Sequence, residues 1–194
     1  MIKHFAIWLV TLSVSVAHAE QPSAVIRAGD PAPSFSAKDD SGTLWNSKDY
    51  VGKSVVVVYF YPADMTSVCS RQACGFRDRQ DDLEKQGVTV VGVSGDTVTN
   101  HQVFKRTHSL NFPLLADPEG KVAKTFGVPV RTGGEITRVV SGKPKKFVRG
   151  VTARRWTFVI GLDGRIVSRN TDVEAATDGE SVLNVVRQLT ASTQ

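Results

Sequence analysis

The chain is 194 residues long, 41% hydrophobic and 22% charged, with a net charge of +5 and two cysteines. Such a length and apolar content suit one domain with a substantial core, and no internal repeat or low-complexity tract interrupts it. Two cysteines with no histidine close by in sequence exclude a disulfide scaffold and fall short of the four ligands that zinc prefers.

The N-terminus reads as a targeting segment. Lys3 and His4 precede an apolar stretch from Phe5 to Val16 that ends in Ala17-His18-Ala19, the pattern of a secretory signal peptide. The run is about a dozen residues, short of the roughly 20 that cross a bilayer as a permanent helix. Cleavage after Ala19 is expected. It leaves residues 20–194 as one exported domain without stable membrane insertion, in the periplasm or another extracytoplasmic compartment. The alternative is an uncleaved N-terminal anchor.

Gly29-Asp30-Pro31-Ala32-Pro33 makes a rigid start, and residues 34–37 and 43–45 flank the turn Asp39-Asp40-Ser41-Gly42 as a small hairpin. The unbroken run Val55-Val56-Val57-Val58-Tyr59-Phe60-Tyr61 predicts a central strand buried on both faces. A polar loop follows, then a helix from about Val68 to Lys85 and a second buried strand over 88–93. Residues 99–107 read as helix, 112–115 as a short strand, and 118–126 as a helix opened by Asp117-Pro118. Residues 157–160 and 165–168 flank Gly161-Leu162-Asp163-Gly164 as a second hairpin. A last amphipathic helix puts Val182, Val185, Val186 and Leu189 on one face. The alternation predicts an α/β sandwich, a mixed central β-sheet flanked by helices.

One segment breaks this alternation. Gly133-Gly134 and Gly142-Lys143-Pro144 mark turns around residues 136–140, predicting an added β-hairpin on the surface. The region is basic, with eight basic residues between Arg131 and Arg155 against one acid, Glu135. A nucleic-acid role would need such a patch joined to a recognisable binding module. A solvated hairpin or an anion-attracting rim fits the exported chain better.

Cys69 and Cys74 stand in the run Cys-Ser-Arg-Gln-Ala-Cys. A loop this short restricts the unfolded chain little, so reactivity is the first reading and an inert local disulfide the alternative. His101 and His108 read as surface positions on a helix, not as a catalytic base. Cys69 falls in the first turn of a helix after a buried strand, where unpaired N–H groups and the positive end of the helix dipole favour a thiolate. Arg71, Arg77 and Arg155 are further sources of positive potential. Five residues along a helix separate the two cysteines by about 7.5 Å of rise and about 140° of rotation, or roughly 8.7 Å between Cα atoms. A disulfide needs less than about 7 Å. Bonding the two therefore requires the first turns to unwind, which Gly75 eases.

The run from Tyr59 to Cys69 resembles the Pro-x-x-x-Thr-x-x-Cys signature of the peroxiredoxin family, with Pro62, Thr66 and Cys69 in its positions. A second cysteine five residues on, followed by Gly75-Phe76-Arg77-Asp78, resembles the Q-type branch, also called the bacterioferritin comigratory protein group. Gly29-Asp30-Pro31-Ala32-Pro33, Phe112-Pro113-Leu114-Leu115-Ala116-Asp117 and Arg155-Trp156-Thr157-Phe158 extend the resemblance over nearly the whole chain after residue 19. Two features depart from it: Ser67-Val68 where that branch usually has Pro-Gly, and a longer segment over 131–149.

The resemblance implies a thioredoxin-like fold and a cofactor-free, metal-free peroxidase acting on hydrogen peroxide and organic hydroperoxides. It makes Cys69 the nucleophile that becomes a sulfenic acid, with Thr66 and Arg155 holding the peroxide and Pro62 shielding the sulfur. Cys74 becomes the resolving partner in a Cys69–Cys74 disulfide. With no third cysteine, reduction falls to an external thioredoxin-like or glutaredoxin-like protein, and the branch implies a monomer. The rival enzyme reading is an exported thioredoxin-like protein disulfide oxidoreductase. Those proteins resemble Cys-x-x-Cys and usually carry a proline where Arg155-Trp156-Thr157 stands. A non-enzymatic rival is an exported binding module with a stabilising disulfide.

Overall fold

The computed structural model describes residues 26–191, and the signal-peptide reading lies outside them. β1 (Ser36–Asp39) and β2 (Leu44–Asn46) pair antiparallel, and the Asp39 carboxylate closes their turn by accepting from the Ser41 and Thr43 amides. β3 (Val55–Phe60) is buried at all six positions, which accounts for its unalternated Val and aromatic sequence.

The single helix expected over 68–85 is two, α1 (Ser67–Arg77) and α2 (Gln80–Lys85). Arg79 leaves the helical path between them, and its guanidinium bonds back to the Gly75 carbonyl. β4 (Val88–Ser94) and α3 (Val98–His108) follow as the pattern predicts. β5 (Leu114–Ala116) begins two residues late because Pro113 has no N–H to give a sheet. α4 is only Lys121–Thr125: residues 117–120 form a turn, and the Asp117 carboxylate accepts from the Val122 and Ala123 amides.

β6 (Val130–Val140) and β7 (Lys143–Ala153) form the expected surface hairpin, longer than the sequence suggests. Gly133-Gly134 is strand and not turn. A Cβ on Gly133 would lie 2.0 Å from the Arg149 carbonyl oxygen, so glycine here permits close approach of the two strands. The turn is at Ser141-Gly142, both at positive φ (50° and 78°), the backbone that a two-residue hairpin loop requires. β8 (Trp156–Ile160), β9 (Ile166–Asn170) and α5 (Asp178–Ala191) complete the fold.

Seven strands make one mixed sheet in the order β2-β1-β5-β4-β3-β8-β9, with β3, β4 and β5 parallel. Alternate residues of β3 feed two cores. Val55, Val57 and Tyr59 pack with Phe76, Leu83, Phe104, Val182 and Val186, while Val56, Val58 and Phe60 pack with Trp45, Phe126 and Phe158. No described helix is long and apolar enough to cross a membrane.

Candidate active site

The chain leaves β3 at Tyr61 and turns into α1 at the carboxyl end of the parallel strands, the usual place for a site in an open α/β sheet. β8 runs antiparallel to β3 with Trp156 opposite Phe60, so Arg155 stands beside the loop that carries Pro62 and Thr66. Two distant segments meet there. Arg155 Nη2 donates to Cys69 Sγ at 3.2 Å, and Nη1 donates to Gln72 Oε1.

Cys69 is the third residue of α1 and only 2% exposed. Its amide belongs to the first turn, whose N–H groups have no intrahelical acceptor; the Ser70 amide is bonded to the Thr66 carbonyl. Thr66 holds the N-cap position with extended backbone, yet its hydroxyl donates to the Ala63 carbonyl at 3.0 Å and does not cap the helix. The hydroxyl oxygen keeps its lone pairs as acceptors. Met65, just before it, takes a left-handed φ of 59°, and its carbonyl accepts from Arg138 Nε of the basic hairpin at 3.1 Å. Pro62, Pro129, Val130 and Ala153, with Arg131 and Arg154, line an open groove of about 420 Å³ that also reaches Arg155.

Behind the guanidinium lies a buried relay that the sequence reading missed. Gln72 Nε2 and Thr157 Oγ1 both donate to Asp178 Oδ2 at 2.7 Å. Burial pushes the Asp178 carboxyl up, and the bonds from Gln72 and Thr157 and the Arg155 charge offset this only in part. The signal for Gln72 was available: residues 69, 72, 73 and 76 form the inward stripe of α1, and Gln72 is its one strongly polar member. Asp178 has no comparable signal.

The structure brings Cys69, Thr66, Pro62 and Arg155 into one region and sets Arg71 apart on the exposed face of α1. Arg77 is engaged with Asp78 and the His108 carbonyl. Both cysteines are free thiols, Cys69 buried and Cys74 half-buried. The expectation of two surface histidines is overturned. His101 is fully buried with Nδ1 2.8 Å from Asp64 Oδ2; burial lowers its pKa, but the charge and hydrogen bond of Asp64 outweigh this and raise it. His108 is half-buried with Nδ1 3.9 Å from Cys74 Sγ. The physical reason is helical spacing: His101, Phe104 and His108 lie three and four residues apart, and Phe104 is fully buried, so the histidines share the inward face. Among the described residues no cluster of three or more His, Cys, Asp or Glu could hold a metal ion.

The profile of the AhpC/TSA family matches residues 28–169. The chain belongs to the AhpC/TSA family. Among AhpC/TSA relatives it is 37% identical over 163 residues to peroxiredoxin Bcp of Escherichia coli (strain K12), covering 84% of this chain and 97% of that one. It is 42% identical over 113 residues to the chloroplastic peroxiredoxin Q of Populus jackii, covering 58% of this chain and 53% of that one. The chain thus spans about half the length of the plant relatives it matches. The crystal structure of peroxidoxin BcpB from Mycobacterium tuberculosis superposes with a TM-score of 0.70 at 28% identity, covering 84% of this chain and 98% of that chain. PrxQ of Xylella fastidiosa gives the same TM-score at 26% identity, covering 87% and 98%. The fold is the thioredoxin-like one of peroxiredoxins.

Proposed function

We propose that this protein is a Q-type thiol peroxidase in which Cys69 attacks the peroxide. The observation that carries the reading is a guanidinium 3.2 Å from a buried sulfur in the first turn of a helix. A thiolate there gains a charge-assisted hydrogen bond and the positive end of the helix. The thiolate forms an S–O bond to the peroxide as the O–O bond breaks, and the departing alkoxide or hydroxide takes up a proton to leave as alcohol or water. The Cys69 amide and Arg155 stabilise the negative charge as it develops. The Thr66 hydroxyl, its own proton committed to Ala63, accepts from the peroxide O–H.

Pro62 shields the sulfur, and the groove beside it suits organic hydroperoxides as well as hydrogen peroxide. The Cys69 sulfenic acid then condenses with Cys74, releasing water, and a thioredoxin-like or glutaredoxin-like protein reduces the disulfide by exchange. Export, from the N-terminal segment, and action as a monomer belong to the same reading. The burial of Cys69 weighs against a protein disulfide oxidoreductase, whose substrate thiols must reach the sulfur.

Cys69→Ser is expected to abolish peroxide consumption at any reductant concentration. Cys74→Ser is expected to permit one fast oxidation of Cys69 and then stop. Equal residual single-turnover rates in the two variants would overturn the assignment.

A further inference from the structure

His108 touches α1 at two side chains one helical turn apart. Its Nε2 lies 3.0 Å from Ser70 Oγ and its Nδ1 lies 3.9 Å from Cys74 Sγ. The ring is held edge-on to Phe104, with centroids 5.1 Å apart, and the His108 carbonyl accepts from Arg77 Nη1 at 2.6 Å. A neutral imidazole has one N–H and one lone pair. In the tautomer that donates Nε2–H to Ser70 Oγ, the lone pair of Nδ1 faces the Cys74 thiol.

We infer that His108 is the base that takes the proton from Cys74 and so supplies the thiolate that resolves the Cys69 sulfenic acid. The inference rests on the peroxidase reading above. The thiolate is the attacking form of a cysteine, and nothing in the first step of the cycle prepares Cys74. The Cys74 S–H bond breaks and its proton passes to Nδ1. The sulfur lone pair then forms the S–S bond to Cys69 while the Cys69 S–O bond breaks, its electron pair leaving with oxygen. That hydroxide and the imidazolium proton give water and return His108 to its neutral form. Cys74 is oxidised and Cys69 reduced, and the products are one disulfide and one water.

The surroundings of the ring suit this role. Burial, then the Arg77 charge, lower the His108 pKa, and Asp64 opposes them only in part, which favours the neutral ring that can accept a proton. Arg77, which also feels the Cys74 charge, remains to stabilise the thiolate. The titratable groups facing the imidazole are thus Cys74 and Arg77 from α1, with Asp78 bound to Arg77, and Asp64 from the loop before α1. The histidine reaches Cys74 only while α1 is helical, so proton transfer precedes unwinding and the helix opens on a thiolate already formed.

The test is rapid mixing of the reduced full chain with one equivalent of hydrogen peroxide, quenched and resolved by mass into sulfenic acid and disulfide, from pH 5.5 to 9. The thiolate is the attacking form of a cysteine, so loss of the base slows resolution most where protons are abundant. The ratio of the disulfide-forming rate to the sulfenate-forming rate should fall about 10-fold or more at pH 7 in His108→Gln, and the gap should close toward pH 9. In His108→Ala, added imidazole should restore the ratio. A ratio that is unchanged in both variants, or lowered equally at every pH with no rescue, would overturn the inference. If the wild-type chain formed a Cys69 sulfenic acid but no Cys69–Cys74 disulfide, the role of His108 would fail by itself; if it formed no sulfenic acid at all, the peroxidase reading would fail and the role of His108 with it.

Discussion

Arg155 holds two partners at once, the Cys69 sulfur and the Gln72 carbonyl oxygen, and Gln72 passes the restraint to Asp178. A guanidinium fork can do this, and a lysine ammonium cannot hold the same two directions in a plane. Arg155→Lys is expected to lower the single-turnover rate about 100-fold, the size of effect seen when one preorganised donor is lost. A stopped-flow rate within about threefold of wild type would remove Arg155 from the reaction. Gln72→Leu, similar in volume, leaves Nη1 without its acceptor and should slow the same step about 10-fold. An unaltered rate would reduce Gln72 to a packing residue. At this scale the sequence was informative where chemistry is local. Pro62, Thr66 and Cys69 lie within eight residues, and Arg155 stands immediately before a strand. Gln72 and Asp178 bond across 106 residues, and only packing brings them together. His108 was misread because polarity was weighed above the spacing that turns it inward with Phe104.

In the proposed cycle turnover depends on helix α1, since the two cysteines it carries cannot bond while it is intact. Phe76 is fully buried and stacks on Tyr59 with centroids 4.7 Å apart, so unwinding past Cys74 pulls against a core anchor. The same stretch is crossed by α5 so tightly that a Cβ on Gly179 would come within 2.8 Å of the Gly75 carbonyl oxygen. Gly179→Ala should therefore destabilise the reduced protein by about 1–3 kcal/mol, read by urea denaturation; an unchanged midpoint would mean that the crossing relaxes freely. Oxidation to the disulfide should accelerate amide exchange over residues 66–77. Unchanged or higher protection there would mean that the cysteines meet without unwinding. The order of elements was readable because β3, β4 and α5 carry strong periodic or continuous apolar patterns. Boundaries were not: the break between α1 and α2 has no proline or helix-ending glycine, and the glycines of β6 look like a turn until the partner strand is known.

Across the whole molecule, one buried polar network ties the loop before Cys69 to β4, α3 and the basic hairpin. The Asp64 amide and the Ser94 hydroxyl donate to Asp96 Oδ2. Asn100 Nδ2 bonds both Asp96 Oδ1 and the Val148 carbonyl of β7. Burial and then the Asp64 charge push Asp96 up to about 6. Its folded pKa lies above the ordinary carboxylate value, so the stability it contributes is fully present below about pH 4 and lost as pH rises through about 6, a change of about 3 kcal/mol. The stability of wild type relative to Asp96→Asn should fall accordingly between pH 4 and pH 7; a constant difference would mean that Asp96 does not titrate in this window. The proposed cycle is an order of events at two sulfurs, and one stoichiometric measurement tests it most directly. Reduced protein is mixed with one equivalent of hydrogen peroxide, and free thiols and intact mass are determined together. Wild type should lose both thiols, Cys74→Ser should lose its one thiol and gain one oxygen, and Cys69→Ser should keep its thiol and leave the peroxide unconsumed. A Cys69→Ser protein that consumed the peroxide, or a wild-type protein that kept both thiols, would contradict it.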